Sequence, residues 1–163
     1  NVISDKQLRV ELTWTTPGDE TVNECDGCGS DVDLHLLHEN ANSNHFEAKY
    51  DCYFGNKTPE WDSTSSTEDN PSLDLDDLDG WGPENIGIKI TSSSTYEIGV
   101  HYWDDHTYGE SFATLRVYFN GGLLYQAGPK RLNMWDWWSV ASIDPGGTIQ
   151  EIDDITPFEF GTF

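Results

Sequence analysis

Apolar and polar residues alternate with a period of two through most of this chain. In residues 7–15, Leu8, Val10, Leu12 and Trp14 take one side, and Arg9, Glu11 and Thr13 take the other. Such alternation sends successive side chains to opposite faces of an extended strand. The same pattern opposes Val32, Leu34 and Leu36 to Asp31, Asp33 and His35, and groups Ile86, Ile88 and Ile90. It recurs at Tyr96, Ile98, Val100 and Tyr102, and again at Ala113, Leu115, Val117 and Phe119. Asn120-Gly121-Gly122 then predicts a hairpin turn into Leu123, Leu124 and Tyr125. Further strands are expected over 138–143 and 148–152, with a helical turn only at 130–135. About eight strands predict an all-β fold, an antiparallel, jelly-roll-like β-sandwich with long acidic loops.

Residues 16–30 and 55–72 are rich in Gly, Asp, Asn, Ser, Thr and Pro and read as loops, with 62–70 the most mobile piece. No repeat or linker divides the chain, so 1–163 is expected to be one domain. Its core would span about 8–152. An apolar tail at 153–163, carrying Ile155, Phe158, Phe160 and Phe163, either closes its own domain or docks on a second copy.

Charge narrows the partners. Thirty acidic residues against eight basic ones give a net charge of -22, which repels nucleic acid and anionic lipid. Seven each of Trp, Tyr and Phe supply the core area that a disordered acidic chain lacks. No apolar run reaches the length of a membrane span, so no membrane insertion is expected, and no signal-peptide pattern is present. A first residue of Asn1 fits a processed mature protein or a piece of a larger one. Cys25 and Cys28 form a C-x-x-C without a βαβ context, and Cys52 stands apart. A loop disulfide is expected, either Cys25 to Cys28 or one of them to Cys52.

The run LDLDDLDGWGPEN, residues 73–85, concentrates Asp74, Asp76, Asp77, Asp79 and Glu84 around Gly80, Gly82 and Pro83. Carboxylates this close repel one another in an ordered loop unless a cation neutralises them. Oxygen-only ligands on a tight glycine-containing turn suit a hard divalent ion, above all Ca2+.

Three motifs carry a resemblance: DVDLHL (31–36), LDLDDLDGWGPEN (73–85) and GVHYWDDHTYGESFATLRVYFNG (99–121). With YDCYFGN (50–56), Trp61 and Trp138-x-Val140-Ala141, they resemble an uncharacterised class of bacterial secreted β-sandwich domains. These are frequent in surface proteins and lipoproteins of myxobacteria and their relatives. A more distant likeness is to pre-peptidase C-terminal domains, which share a D-x-D-L-x-x opening strand and a jelly-roll fold. The resemblance spans about residues 8–145 and implies an exported, non-catalytic module. The stretch around Cys25 and Cys28 departs from the family's commoner pattern.

Asp31 and Asp33 share a strand face and are placed to close the far side of an ion held by the acidic loop. The candidate metal ligands are therefore Asp31, Asp33, Asp74, Asp76, Asp77, Asp79 and Glu84. Leu78 occupies a position where an EF-hand needs Asp, so this is a different kind of site. His35, His101 and His106 form a candidate second, transition-metal group. Trp61, Trp81, Trp135 and Trp137 are candidate surfaces for stacking sugar rings. No G-x-S-x-G elbow or phosphate-binding glycine loop occurs. The expected function is a calcium-stabilised extracellular recognition or adhesion module that meets a glycan or cell-surface protein. A self-assembling surface subunit is the second expectation and a metal-dependent hydrolase the third.

Overall fold

A computed structural model describes residues 5–20, 28–42, 44–78, 81–89 and 91–159. Its strands are β1 (Leu8–Thr15), β2 (Asp31–His38), β3 (Asp51–Cys52), β4 (Pro71–Leu73) and β5 (Glu84–Ile88), then β6 (Tyr96–Asp104), β7 (Ser111–Phe119), β8 (Gly122–Leu132), β9 (Asp136–Ile143) and β10 (Ile149–Pro157). They form two five-stranded antiparallel sheets, ordered β4-β5-β1-β7-β8 and β10-β9-β6-β2-β3. The inward residues of both sheets meet in one core, so the chain is a β-sandwich. Leu8, Val10, Leu12 and Trp14 from β1 face Val32, Leu34 and Leu36 from β2 within it.

β2 departs from simple alternation, because all eight of its residues are buried. Its apolar side lies on the core. Its polar side, carrying Asp31, Asp33 and His35, is covered by the segments around Phe46 and Asp76. Beneath that cover, Leu37, Ala41 and Trp137 make a second, smaller cluster, joined by Phe46, Tyr50 and Phe158.

β8 and β10 are long edge strands with mostly exposed residues. Side chains join them: Lys130 Nζ donates to Asp153 Oδ1 at 2.8 Å and Tyr125 Oη donates to Glu151 at 2.9 Å. Pro129 in β8, and a bulge in β10 with Asp153 at φ 52°, interrupt the free edges and discourage strand addition.

Several expectations need correction. Two short strands, β3 and β4, were not signalled, which brings the total to ten. Residues 130–132 continue β8 and 133–135 make a turn, so the helical turn is absent there; one turn of 3-10 helix lies instead at Glu39–Ala41. Residues 153–157 are the second half of β10 and pair with β9, so this part of the apolar segment closes on its own domain, one of the two outcomes expected; 160–163 lie outside the described residues. Residues 62–70 are tied down rather than loose. Trp61, 2% exposed, donates from its backbone N–H to Asn70 Oδ1 at 2.8 Å, and Ser63 N donates to Asp69 Oδ2 at 2.9 Å. Asn120 (φ 49°) and Gly121 (φ 82°) do make the hairpin turn between β7 and β8.

Gly99 shows how closely the outer layer packs. A Cβ there would stand 2.2 Å from Cζ2 of the buried Trp137 indole. Gly99→Ala is expected to destabilise the fold by about 1–3 kcal/mol through overpacking. Urea unfolding followed by tryptophan fluorescence reads this, and an unshifted midpoint would contradict the packing described.

Candidate metal centre

Residues Asp31 to Leu34 of β2 lie beyond the reach of β3, which pairs only with Leu36 and Leu37. The open N–H of Leu34 is taken by Glu84, whose Oε2 accepts it at 2.8 Å. Glu84 Oε1 accepts from Asp77 N at 3.0 Å, so one buried carboxylate joins β2 to the acidic loop. Other acidic residues shape that loop: Asp74 Oδ1 accepts from Leu75 N and Asn85 N, and Asp77 Oδ2 accepts from Gly82 N. Trp81 O accepts from Trp14 N at 3.0 Å, pinning the loop to the end of β1. Asp76 is left to meet β2.

The result is a group of three carboxylates. One oxygen from each of Asp31, Asp33 and Asp76 lies within 4.8 Å of the others. Asp33 is 1% exposed, and neither of its oxygens has a hydrogen-bond partner among the described residues. Asp31 Oδ1 and Asp76 Oδ1 are likewise buried without partners. Burial, reinforced by Asp76, Asp104 and Asp77, pushes the Asp31 carboxyl up to about 7. Burial and the neighbouring carboxylates also raise Asp33 and Glu84 well above the ordinary carboxylate range. The compensating cation is Lys57, whose Nζ stands 3.7 Å from Asp76 Oδ2 and is itself partly exposed.

Of the seven candidate ligands, three converge. Asp74 and Asp77 bond to loop backbone, Glu84 braces the loop against β2, and Asp79 lies outside the described residues. The three histidines proposed as a second group do not converge. His35 donates from Nδ1 to Asp51 Oδ2 at 2.7 Å and His101 from Nε2 to the Phe158 carbonyl at 2.8 Å. Phe46 packs edge-on to both rings, at centroid distances of 4.7 and 5.2 Å. His106 donates to the Gly29 carbonyl instead. His45 joins His35 and His101 around Trp137; burial lowers both His45 and His101 to about 4.

Trp61 and Trp137 are buried and present no stacking surface, whereas Trp81 is 38% exposed and Trp135 half-buried. Cys28 is disulfide-bonded and Cys52 is a buried free thiol, so that bond does not involve Cys52; Cys25 lies outside the described residues. A further feature escaped the sequence reading: a network of His38, Asp62, Ser92 and Ser94 at the floor of a cavity. Its residues are scattered over 38–94, with no motif to gather them.

No family model and no curated protein matches the chain. A solved structure titled "Crystal structure of unknown function protein SAV2460" is similar, with a TM-score of 0.50 and 14% identity, over 95% of this chain and 91% of that one. At that identity the likeness shows the fold alone.

Two outcomes follow from the buried carboxylates. A carboxyl whose pKa is higher folded than unfolded binds its proton more tightly in the folded state. Its contribution is therefore present at acid pH and lost as pH rises from about 4 through the folded value, about 7 for Asp31. Chelator-treated protein is expected to melt at a lower temperature at pH 8 than at pH 5.5, and a flat profile would contradict the burial. Asp33→Asn removes a buried charge whose two oxygens both lack partners among the described residues, so it is expected to raise the ion-free melting temperature by roughly 2–4 °C for each kcal/mol gained.

Proposed function

We propose that this chain is a non-catalytic extracellular recognition module whose sandwich is stabilised by Ca2+ bound to Asp31, Asp33 and Asp76. The observation that carries the reading is Asp33, a fully buried carboxylate with two unpartnered oxygens at the centre of an all-oxygen cluster. Such a group is costly to bury alone and is met in proteins paired or holding a metal. Oxygens within 4.8 Å of one another fit a sphere of ligands at Ca2+ distances of about 2.3–2.6 Å, with remaining positions for water. The donor set lacks sulfur and imidazole, which argues against zinc or copper.

Export is supported by the disulfide at Cys28, since such bonds persist in oxidising compartments. The motif resemblance points the same way, as does a net charge of -22 that repels polyanionic partners. A self-assembling subunit has less support, because both long edge strands carry devices that oppose strand pairing. A metal-dependent hydrolase has less still, because Asp31 and Asp33 are buried and catalysis at a metal needs a coordination position open to substrate.

Elemental analysis of purified protein is expected to find one Ca2+ per chain. Calcium at about one hundred times its dissociation constant is expected to add about 2.7 kcal/mol of stability over chelated protein. Asp33→Asn should abolish that gain. Identical melting curves with calcium and with chelator, and no bound metal, would overturn the reading.

A further inference from the structure

A cavity of about 700 Å³ lies between the Glu39–Ala41 turn, the 48–50 turn and residues 56–64. This volume is within the range of small-ligand sites. Its floor is made by His38 and Trp61, each 2% exposed. The floor is rigid for identifiable reasons. Trp61 Nε1 donates to the Lys49 carbonyl at 2.9 Å, and its ring stacks on Tyr96. His38 donates from Nε2 to Asp62 Oδ1 at 3.0 Å, while Asp62 also accepts from Ser92 Oγ at 2.5 Å and Ser94 Oγ at 3.1 Å.

The walls limit the ligand's chemistry. Tyr50 stacks on His38, and the Lys49 ammonium stands 4.9 Å from the centroid of its ring. Lys49, Glu60 and Asp62 all line the cavity, and the Asp62 charge is already held by three hydrogen bonds. The cavity is thus close to neutral on a chain of net charge -22. Neither a polyanion nor a polycation finds a complementary field there. The lining instead offers planar amides and a carboxylate, from Asn40, Asn56 and Glu60, beside an aromatic ring and a lysine stem. Paired donors and acceptors of that kind match adjacent hydroxyl groups, and the ring and stem match the C–H face of a sugar.

We propose that this cavity binds a neutral saccharide. The assignment deepens the reading of the chain as a recognition module, with the buried Trp61 as part of the floor and not as an exposed stacking platform. Asn40 and Glu60 hydrogen-bond the sugar hydroxyls, and Tyr50 walls the site.

The test is a glycan array probed with calcium-loaded protein, followed by calorimetric titration of the best neutral glycan. Sialylated and sulfated glycans and an oligolysine peptide serve as charged comparators. Neutral glycans are expected to bind in preference to both. Asn40→Ala and Glu60→Gln alter exposed side chains, and each is expected to weaken binding about five- to ten-fold while calcium uptake and melting temperature stay unchanged. Absence of any neutral ligand, equal affinity in both variants, or binding confined to the charged probes would overturn the proposal. Calcium uptake without sugar binding sinks this inference alone, whereas failure of calcium uptake sinks the metal site.

Discussion

The carboxylate of Asp33 is the constraint around which the rest of this sandwich is arranged. It sits on the polar face of β2, fully buried, beside Asp31 and Asp76, and its oxygens have no partner among the described residues. A single buried charge of this kind costs several kcal/mol, a large share of the stability of a small domain. Three carboxylates together cost more, because each raises its neighbours' proton affinity. Two routes relieve that cost without changing the chain. Protons do so at acid pH, and on the proposed reading a divalent ion does so at neutral pH.

The acidic loop is built to keep the charges together despite their repulsion. Asp74 and Asp77 accept from loop backbone N–H groups, and Glu84 ties Leu34 to Asp77 across the open edge of β2. The acidic residues therefore divide their labour. Some give the loop its shape, and Asp76 carries charge to β2. Away from the cluster, the same polar face passes under an aromatic cover of Phe46, Trp137 and Phe158. Buried atoms without partners continue along it at His35 Nε2, Asp51 Oδ1 and His101 Nδ1. The outer side of β2 is thus a sealed polar strip, held shut by rings rather than by strand pairing.

How much of this was legible depends on range. Period-two alternation located β1, β2, β6 and β7 because each has one face on a common core and repeats it over eight or nine residues. β3 and β4 have two and three residues, too short to show any period. The pairing of Asp31 and Asp33 with the acidic loop could be read because both halves are written as dense motifs. The division of roles within the loop could not, since Asp74, Asp76, Asp77 and Glu84 differ only in which backbone N–H lies nearby. Aromatic identity also misled. Trp61 and Trp137 look like surface platforms until the long loops are seen folded over them, with Gly99 left bare to seat Trp137.

Lys57 links the two ends of this arrangement. Its ammonium is the nearest cation to Asp76, while its carbonyl accepts from Leu73 N at 2.9 Å and from Cys52 Sγ at 3.5 Å. The next residue, Thr58, already lines the cavity. A divalent ion at the carboxylates brings twice the charge of Lys57 and repels its ammonium, but the backbone bonds hold the segment where it is. The side chain is therefore free to yield to the ion without disturbing the cavity wall. On the proposed reading, this separation lets a metal stabilise the sandwich while the proposed recognition cavity keeps one shape, which fits a structural ion better than a gating one.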